Sequence, residues 1–222
     1  MALFSLPPGS PQSDLDLSLF LGGGHPDTAL MHRTLAPEWA RQSGIQLTWP
    51  HADTDWAYML PEVTECYLRL AFEIATRQPL LIVAPNVEQV KALIDERLPQ
   101  RATDNIRYFS CPTNDTWARD HGFLTVMSST GPELLDFRFN GWGGIGVDGQ
   151  GTLLTTSECL LNPNRNAQLD KAHKETLLKE RLGVDRILWL DHGYLAGDDT
   201  DSHIDTLARL CPNNTIAYVH CT

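Results

Sequence analysis

The sequence predicts an α/β domain assembled from small strand–helix–strand units. Two observations carry that prediction. Short apolar runs of strand length, such as Leu80–Ala84, Ile106–Ser110, Thr152–Thr156 and Arg186–Leu190, recur along the chain. Between several of them lie longer stretches with helical periodicity or a charged surface pattern, at 58–76, 86–98 and 168–182.

In order, residues 1–35 have no periodic pattern and read as a flexible leader, broken by Pro7-Pro8-Gly9, Pro11-Gln12-Ser13 and Gly22-Gly23-Gly24. The triple glycine is not read as a phosphate loop, because no strand precedes it and no Lys-Ser/Thr follows. Tyr58 to Thr76 is read as a helix interrupted early by Pro61. Leu80–Ala84 is a buried strand. Asn86–Leu98 is a helix capped by Asn86, with Val90, Leu93 and Ile94 on one side. Ile106–Ser110, Phe123–Ser128, Leu134–Phe139 and Thr152–Thr156 follow as strands, with turn signals at Gly131-Pro132 and Asp148-Gly149. Gln168–Leu182 is a charged helix ended by Gly183. Arg186–Leu190 and Thr215–Cys221 are the last strands. Nothing after the final strand covers or pairs it, which predicts an unfinished domain prone to self-association.

Composition narrows the function classes. With 42% hydrophobic and 20% charged residues, the chain has the make-up of a globular domain. A net charge of -11 argues against nucleic acid and anionic membranes as partners and favours a small cation. The longest apolar run, Leu80–Ala84, is too short to span a bilayer, so no membrane partner is expected. The N-terminus has no basic stretch before an apolar core, so it does not read as a secretory signal. The five cysteines, Cys66, Cys111, Cys159, Cys211 and Cys221, are odd in number and show no C-x-x-C spacing. They are read as mostly buried thiols in a reducing cytoplasm, with Cys66, Cys111 and Cys159 in the core.

Two segments concentrate chemistry. Gly197–Asp205 reads G-D-D-T-D-S-H-I-D, with Asp199, Asp201, His203 and Asp205 at alternate positions. If extended, all four side chains share one face. Such a row suits a site that handles a cation or moves protons, a hard or borderline metal site, or an acidic turn with Asp198 or Asp199 capping a helix. Asn114–Gly122 packs Asp115, Trp117, Arg119, Asp120 and His121 together. One reading is structural: a turn cap, a core tryptophan and an arginine paired with an acid. The other is a cation pocket in which Asp120 and Asp205 clamp a guanidinium from both sides and Trp117 offers its ring face. Phe139–Gly144 reads as a tight connection whose glycines take positive φ. Asn162–Asn166 reads as a turn in which Arg165 supports a nearby acid.

Trp49-Pro50-His51 with Asp53–Trp56, N-D-T-W-A-R-D at 114–120, F-N-G-W-G-G at 139–144, D-G-Q-G-T at 148–152, C-L-L-N-P-N-R-N at 159–166 and D-D-T-D-S-H-I-D at 198–205 together resemble the agmatine deiminase and Porphyromonas-type peptidylarginine deiminase family. The resemblance covers roughly residues 35–222, in the family's order. It implies a pentein-type α/β propeller, here incomplete, with a partial deiminase domain over 36–222 that lacks the C-terminal blades. It implies hydrolysis of a guanidine, either agmatine or a peptidyl-arginine side chain, to a ureido product and ammonia, without cofactor or metal. His203 matches the family's general acid/base, Asp120 and Asp205 the carboxylates that hold the guanidinium, and Trp117 a pocket aromatic. Putrescine and polyamine metabolism follow as context, and a homo-oligomer is compatible.

Two family parts have no counterpart in the sequence. The nucleophilic cysteine of relatives lies far downstream of H-x-D, whereas only 17 residues follow Asp205 here. His220-Cys221 is not read as that nucleophile, because it continues directly from the strand at 215–219 and a penultimate residue lacks the packing that fixes a thiolate. Relatives also carry an insertion ending in Glu-Gly-Gly between F-N-G-W-G-G and D-G-x-G-T, and here only Ile145-Gly146-Val147 separate Gly144 from Asp148. The expectation is a chain inactive alone. The alternatives are a guanidinium-binding remnant without catalysis and an Asp/His metal protein.

Overall fold

A computed structural model describes residues 33–135, 144–193, 195–197 and 202–220. The fold is mixed α/β, as the alternation predicts, and divides into two compact units.

One unit comprises Gln42–Ala118. Strands β2 (Ile45–Thr48), β3 (Leu80–Ala84) and β4 (Ile106–Ser110) form a parallel sheet in the order β2-β3-β4, with Ile45 opposite Leu80 and Leu80 opposite Ile106. Every residue of β3 is buried, as its unbroken apolar run requires of a central parallel strand. Helix α1 (Leu60–Ala75) connects β2 to β3, and α2 (Val87–Arg97) with the short α3 (Gln100–Thr103) connects β3 to β4. Pro61 does not interrupt α1; it sits in the first turn, where no intrahelical partner for its missing N–H is needed. Asn86 caps α2 as predicted, its side chain accepting from the Gln89 N–H at 3.2 Å. Trp49, Leu68, Ala71, Leu80, Ile82, Ile94 and Ile106 build the core. Cys111 is buried, and burial raises its thiol pKa. Cys66 is a correction: it is exposed, because helical periodicity buries Val63, Ala71 and Ala75 and turns Cys66 to the opposite side.

In the other unit, residues 33–41 join the chain from Arg119 onward. Its first sheet is antiparallel, with β1 (Thr34–Leu35), β5 (Leu124–Ser128) and β6 (Gly131–Leu135) in the order β1-β5-β6. Thr34 and Leu35, expected to belong to the leader, form this strand instead, with Leu35 buried opposite Val126. The expected turn at Gly131-Pro132 lies inside β6, with Pro132 opposite Met127. The reversal occurs at Ser129-Thr130, where the Ser128 hydroxyl accepts from the Thr130 N–H and donates to the Gly131 carbonyl. Proline is tolerated because, among the described residues, β6 has a partner strand on one side only. Residues 136–139 of the predicted strand lie outside the described residues.

The second sheet orders β7 (Gly146–Val147), β8 (Thr152–Thr156) and β9 (Arg186–Leu190), with β8 and β9 parallel through the crossover helix α6 (Lys171–Leu182). The Asp148-Gly149 turn is as read. Slight burial pushes the Asp148 carboxyl upward, but the N–H groups of Gln150 and Thr152 bond its Oδ1 and hold its pKa below the ordinary value. Helix α6 starts three residues later than expected, because Asp170 is the cap, accepting from the His173 N–H at 2.9 Å. It ends at Gly183, whose φ of 65° is the left-handed conformation of a C-terminal glycine. Leu35, Val126, Val147, Leu153, Leu182 and Val184 form this unit's core. The last strand is β11 (Thr215–Tyr218). Contrary to the expectation of an unpaired edge, it forms an antiparallel hairpin with β10 (Ala208–Cys211), a strand too short to stand out in the sequence. Ile216, Tyr218 and Val219 remain exposed. Among the described residues no helix is long and apolar enough to cross a membrane.

Candidate functional site

Three pieces of chain meet around His203, all within the second unit described. The floor is the carboxyl end of β8. Thr155 and Thr156 are buried, yet each hydroxyl is used: Thr155 donates to the Gly144 carbonyl at 3.0 Å and Thr156 to the Ser202 carbonyl at 2.7 Å. Thr156 Oγ1 also accepts from the Cys159 N–H, capping the helical turn α5 (Ser157–Leu160). A buried hydroxyl left unpaired is costly, so these bonds fix Gly144 and Ser202 relative to β8. Gly144 lies directly against His203. A methyl group placed on it would sit 2.9 Å from the His203 Cβ and 3.0 Å from the Ile204 nitrogen. Gly144 is thus small for close approach rather than for positive φ, and Gly141 and Gly143 lie outside the described residues.

The chain from Ser202 to Asp205 is not the extended row that alternation suggested. Ser202 takes a positive φ of 57°, and Ile204–Leu207 forms a helical turn, α7. His203 caps that turn and Asp205 lies within it, while Asp198, Asp199 and Asp201 lie outside the described residues. Among the described residues no His/Cys/Asp/Glu cluster could hold a metal.

A second helical turn, α4 (Ala118–His121), supplies Arg119 and Asp120. His203 Nδ1 is 3.7 Å from Asp120 Oδ1, with both side chains largely buried. That is ion-pair range for a protonated imidazole and too long for a hydrogen bond. His203 Nε2 is buried and has no hydrogen-bond partner among the described residues. Burial raises the Asp120 pKa above the ordinary carboxylate value; the charges of His203 and Arg119 oppose the rise and that of Asp205 adds to it. Asp120 is therefore a carboxylate that would be stabilised by a further cation.

Asp205 is held differently. Arg119 Nε donates to its Oδ2 at 3.0 Å, and Arg209 Nη2 approaches the same oxygen at 3.6 Å. Both arginines also reach Glu38: Arg119 Nη2 bonds Oε1 at 2.5 Å, and Arg209 Nη1 bonds Oε2. Arg209 Nε further donates to the Asp205 carbonyl. Burial alone would lower the Arg119 pKa, but the hydrogen bond and charge of Glu38, then Asp205 and Asp120, raise it. The structural reading of Arg119, an arginine paired with acids, thus holds. Glu38, Arg209, Thr155 and Thr156 were not singled out by sequence reasoning. The available signal was two threonines closing an apolar strand; nothing local marked Glu38.

Trp117 belongs to the Gln42–Ala118 unit and is half exposed rather than core. Its N–H bonds Asp115 Oδ1 at 2.7 Å, and its ring lies 6.3 Å from that of Trp56. Trp56 Nε1 donates to Thr116 Oγ1 at 2.8 Å, and His51 Nε2 pairs with Thr113 Oγ1 at 3.0 Å. The first sequence motif, Trp49–Trp56, thereby anchors the segment that carries the second. Of the cysteines, Cys159 and Cys111 are buried as expected, Cys211 is intermediate, and Cys221 lies outside the described residues. Arg165 donates to the Cys159 carbonyl, and Lys174 to those of Leu160 and Arg165. In these bonds the N-P-N-R-N turn is held through backbone oxygens.

The sequence profile of the Porphyromonas-type peptidyl-arginine deiminase family matches residues 34–146 and 143–222. The agmatine deiminase of Ectopseudomonas mendocina is 31% identical over 210 aligned positions, which take in 76% of this chain and 55% of that protein. That of Stutzerimonas stutzeri is 32% identical over 211, with the same coverage of 76% and 55%. The chain thus spans about half the length of the curated relatives it matches. A substrate-bound agmatine deiminase of C. jejuni aligns with a TM-score of 0.74 and 34% identity, over 85% of this chain and 65% of that one. The agmatine deiminase of Enterococcus faecalis aligns with a TM-score of 0.68 and 26% identity, over 80% and 58%.

Proposed function

This chain belongs to the Porphyromonas-type peptidyl-arginine deiminase family, and we propose that it carries the guanidinium-holding part of a guanidine deiminase site. The observation that carries this reading is the buried pair Asp120 and His203, 3.7 Å apart, with Asp205 linked to Asp120's neighbour Arg119. Asp120 and Asp205 clamp the planar guanidinium, keeping it charged and its carbon electrophilic. Trp117 takes the part of the pocket aromatic, on the strength of its place in the N-D-T-W-A-R-D motif. The substrate is agmatine or a peptidyl-arginine, and agmatine is the first choice because the relatives above are agmatine deiminases. The setting is cytoplasmic, within putrescine and polyamine metabolism.

In the complete reaction a cysteine thiolate adds to the guanidinium carbon. The C–N bond then breaks, and the leaving amine takes a proton from His203 to depart as ammonia. His203 next accepts a proton from water, which adds to the same carbon. Collapse expels the thiolate and leaves the ureido product. The proton-bearing role suits a buried imidazole that lies within ion-pair distance of a carboxylate.

The 222 residues alone are proposed to bind without turnover. Two facts support this. The chain spans 55% of the relatives, and the family profile matches in two stretches meeting at 143–146, where only Ile145-Gly146-Val147 separate Gly144 from Asp148 and the insertion with its catalytic Glu has no counterpart. Its small sheets are read as blades of an incomplete pentein-type propeller. Titration calorimetry with agmatine tests the proposal, alongside an assay for released ammonia. Agmatine is expected to bind, Asp120→Ala and Asp205→Ala to abolish binding, and no ammonia to appear. Absence of binding, or unchanged binding in Asp120→Ala, overturns the site assignment. Turnover by this chain overturns the inactivity.

A further inference from the structure

We propose that Glu38 is a positioning residue that keeps Asp205 open to a cationic guanidine. The inference rests on the guanidinium-site reading above and deepens it.

Asp205 is shared between two arginines of the chain itself, yet neither takes it in a two-pronged grip. Arg119 gives Nε to Asp205 Oδ2 at 3.0 Å and Nη2 to Glu38 Oε1 at 2.5 Å. Nε and Nη2 form one edge of the guanidinium, the edge that closes bidentately on a single carboxylate when nothing divides it. Glu38 divides it. Arg209 is split in the same way, with Nη1 on Glu38 Oε2 and Nη2 3.6 Å from Asp205 Oδ2. Both arginines address the same Asp205 oxygen.

Two consequences follow without Glu38. Each arginine edge would be free to swing fully onto Asp205 and cover both oxygens. The charge balance would also shift. Arg119 and Arg209 bring two positive charges, and Glu38 and Asp205 bring two negative ones. Remove the Glu38 charge, and these four groups turn from neutral to net positive, which weakens the pull of the site on a cation. Glu38 is itself half exposed, so its contribution is partly screened by solvent.

The test uses the full chain and two ligands, agmatine and its neutral ureido counterpart, in titration calorimetry. Glu38→Gln keeps size and one acceptor oxygen but removes the charge. Agmatine is expected to bind it about tenfold more weakly, the scale of one unit charge a few ångströms beyond contact. Affinity for the neutral ureido compound is expected to stay within about twofold. Glu38→Gln with Arg209→Gln restores the charge balance and is expected to recover most of the agmatine affinity. Equal agmatine affinity in wild type and Glu38→Gln overturns the proposal. So does an equal loss for both ligands, or a double variant weaker than the single one, since a merely structural corner gives those results. If the wild-type chain does not bind agmatine, the guanidinium-site reading falls and takes this inference with it.

Discussion

Replacing Gly144 with alanine tests how tightly the site is packed. The added methyl would lie 2.9 Å from the His203 Cβ, 3.0 Å from the Ile204 nitrogen and 3.1 Å from the His203 Cα. Ordinary carbon contacts begin at ~3.5 Å, so the two segments must part by roughly 0.6 Å or more. Two of the three neighbours are backbone atoms, and no side chain can rotate away to relieve them. Gly144 cannot retreat freely either, because its carbonyl is bonded to Thr155 and its N–H points at Cys159 Sγ. Overpacking of this kind costs about 1–3 kcal/mol. For a chain of this length that corresponds to a fall in melting temperature of ~2–12 °C.

The same displacement moves His203 against Asp120, whose separation of 3.7 Å already lies near the limit of an ion pair. Agmatine binding is therefore expected to weaken by more than the loss of folded protein explains. The assay is thermal melting by circular dichroism, paired with calorimetry at a temperature where the variant is fully folded. A Gly144→Ala protein that melts within a degree of wild type and binds agmatine equally would refute the claim that Gly144 is the packing partner of His203.

Two further substitutions probe the fold and the site separately. Gly183→Ala places a methyl 1.6 Å from the Arg33 carbonyl oxygen, at a φ of 65° that alanine adopts poorly; a loss of ~3–5 kcal/mol is expected in denaturant unfolding, and a loss below ~1 kcal/mol would contradict the close approach of Arg33 to this glycine. Asp120→Asn removes a carboxylate that burial makes reluctant to ionise, so its raised folded-state pKa makes the ionised form destabilising. Wild type loses stability as pH rises through that raised value, and the neutral variant does not. Asp120→Asn is therefore expected to melt a few degrees higher than wild type near pH 7, with the gap closing in acid, while agmatine binding is lost. A variant less stable than wild type at neutral pH would show that the Asp120 carboxylate is a net stabiliser.

The sequence exposed the frame well where one physical rule acted alone. An unbroken apolar run marked β3, a capping asparagine marked α2, and a terminal glycine marked the end of α6. It misled where two rules competed. Gly131-Pro132 carries a turn signal, but an edge strand tolerates proline and the Ser128 hydroxyl had already made the turn. Asp199 to Asp205 alternates like a strand, but Ser202 and Ile204 leave the extended region, so His203 caps a helical turn that carries Asp205. Cys66 has the composition of a core residue and the helical phase of a surface one.

The site was legible in its chemistry and hidden in its support. His203 and Asp205 were chosen from a row of three acids and an imidazole that has no reason to gather in a core, and Asp120 as the facing carboxylate of a guanidinium clamp. What holds them comes from far along the chain: Thr156 is 46 residues from Ser202, and Glu38 is 171 residues from Arg209. Such contacts obey no spacing rule, because any exposed glutamate looks alike until folding places it between two guanidinium groups. The pairing pattern is therefore what distinguishes this site. Asp120 stands buried beside a histidine and gains from a cation. Asp205, the other half of the proposed clamp, is already balanced by two arginines that Glu38 bridges. One carboxylate is thus destabilised until a ligand arrives, and its partner is kept in place before one does, a division of labour that binding by Asp120 and Glu38 variants separates.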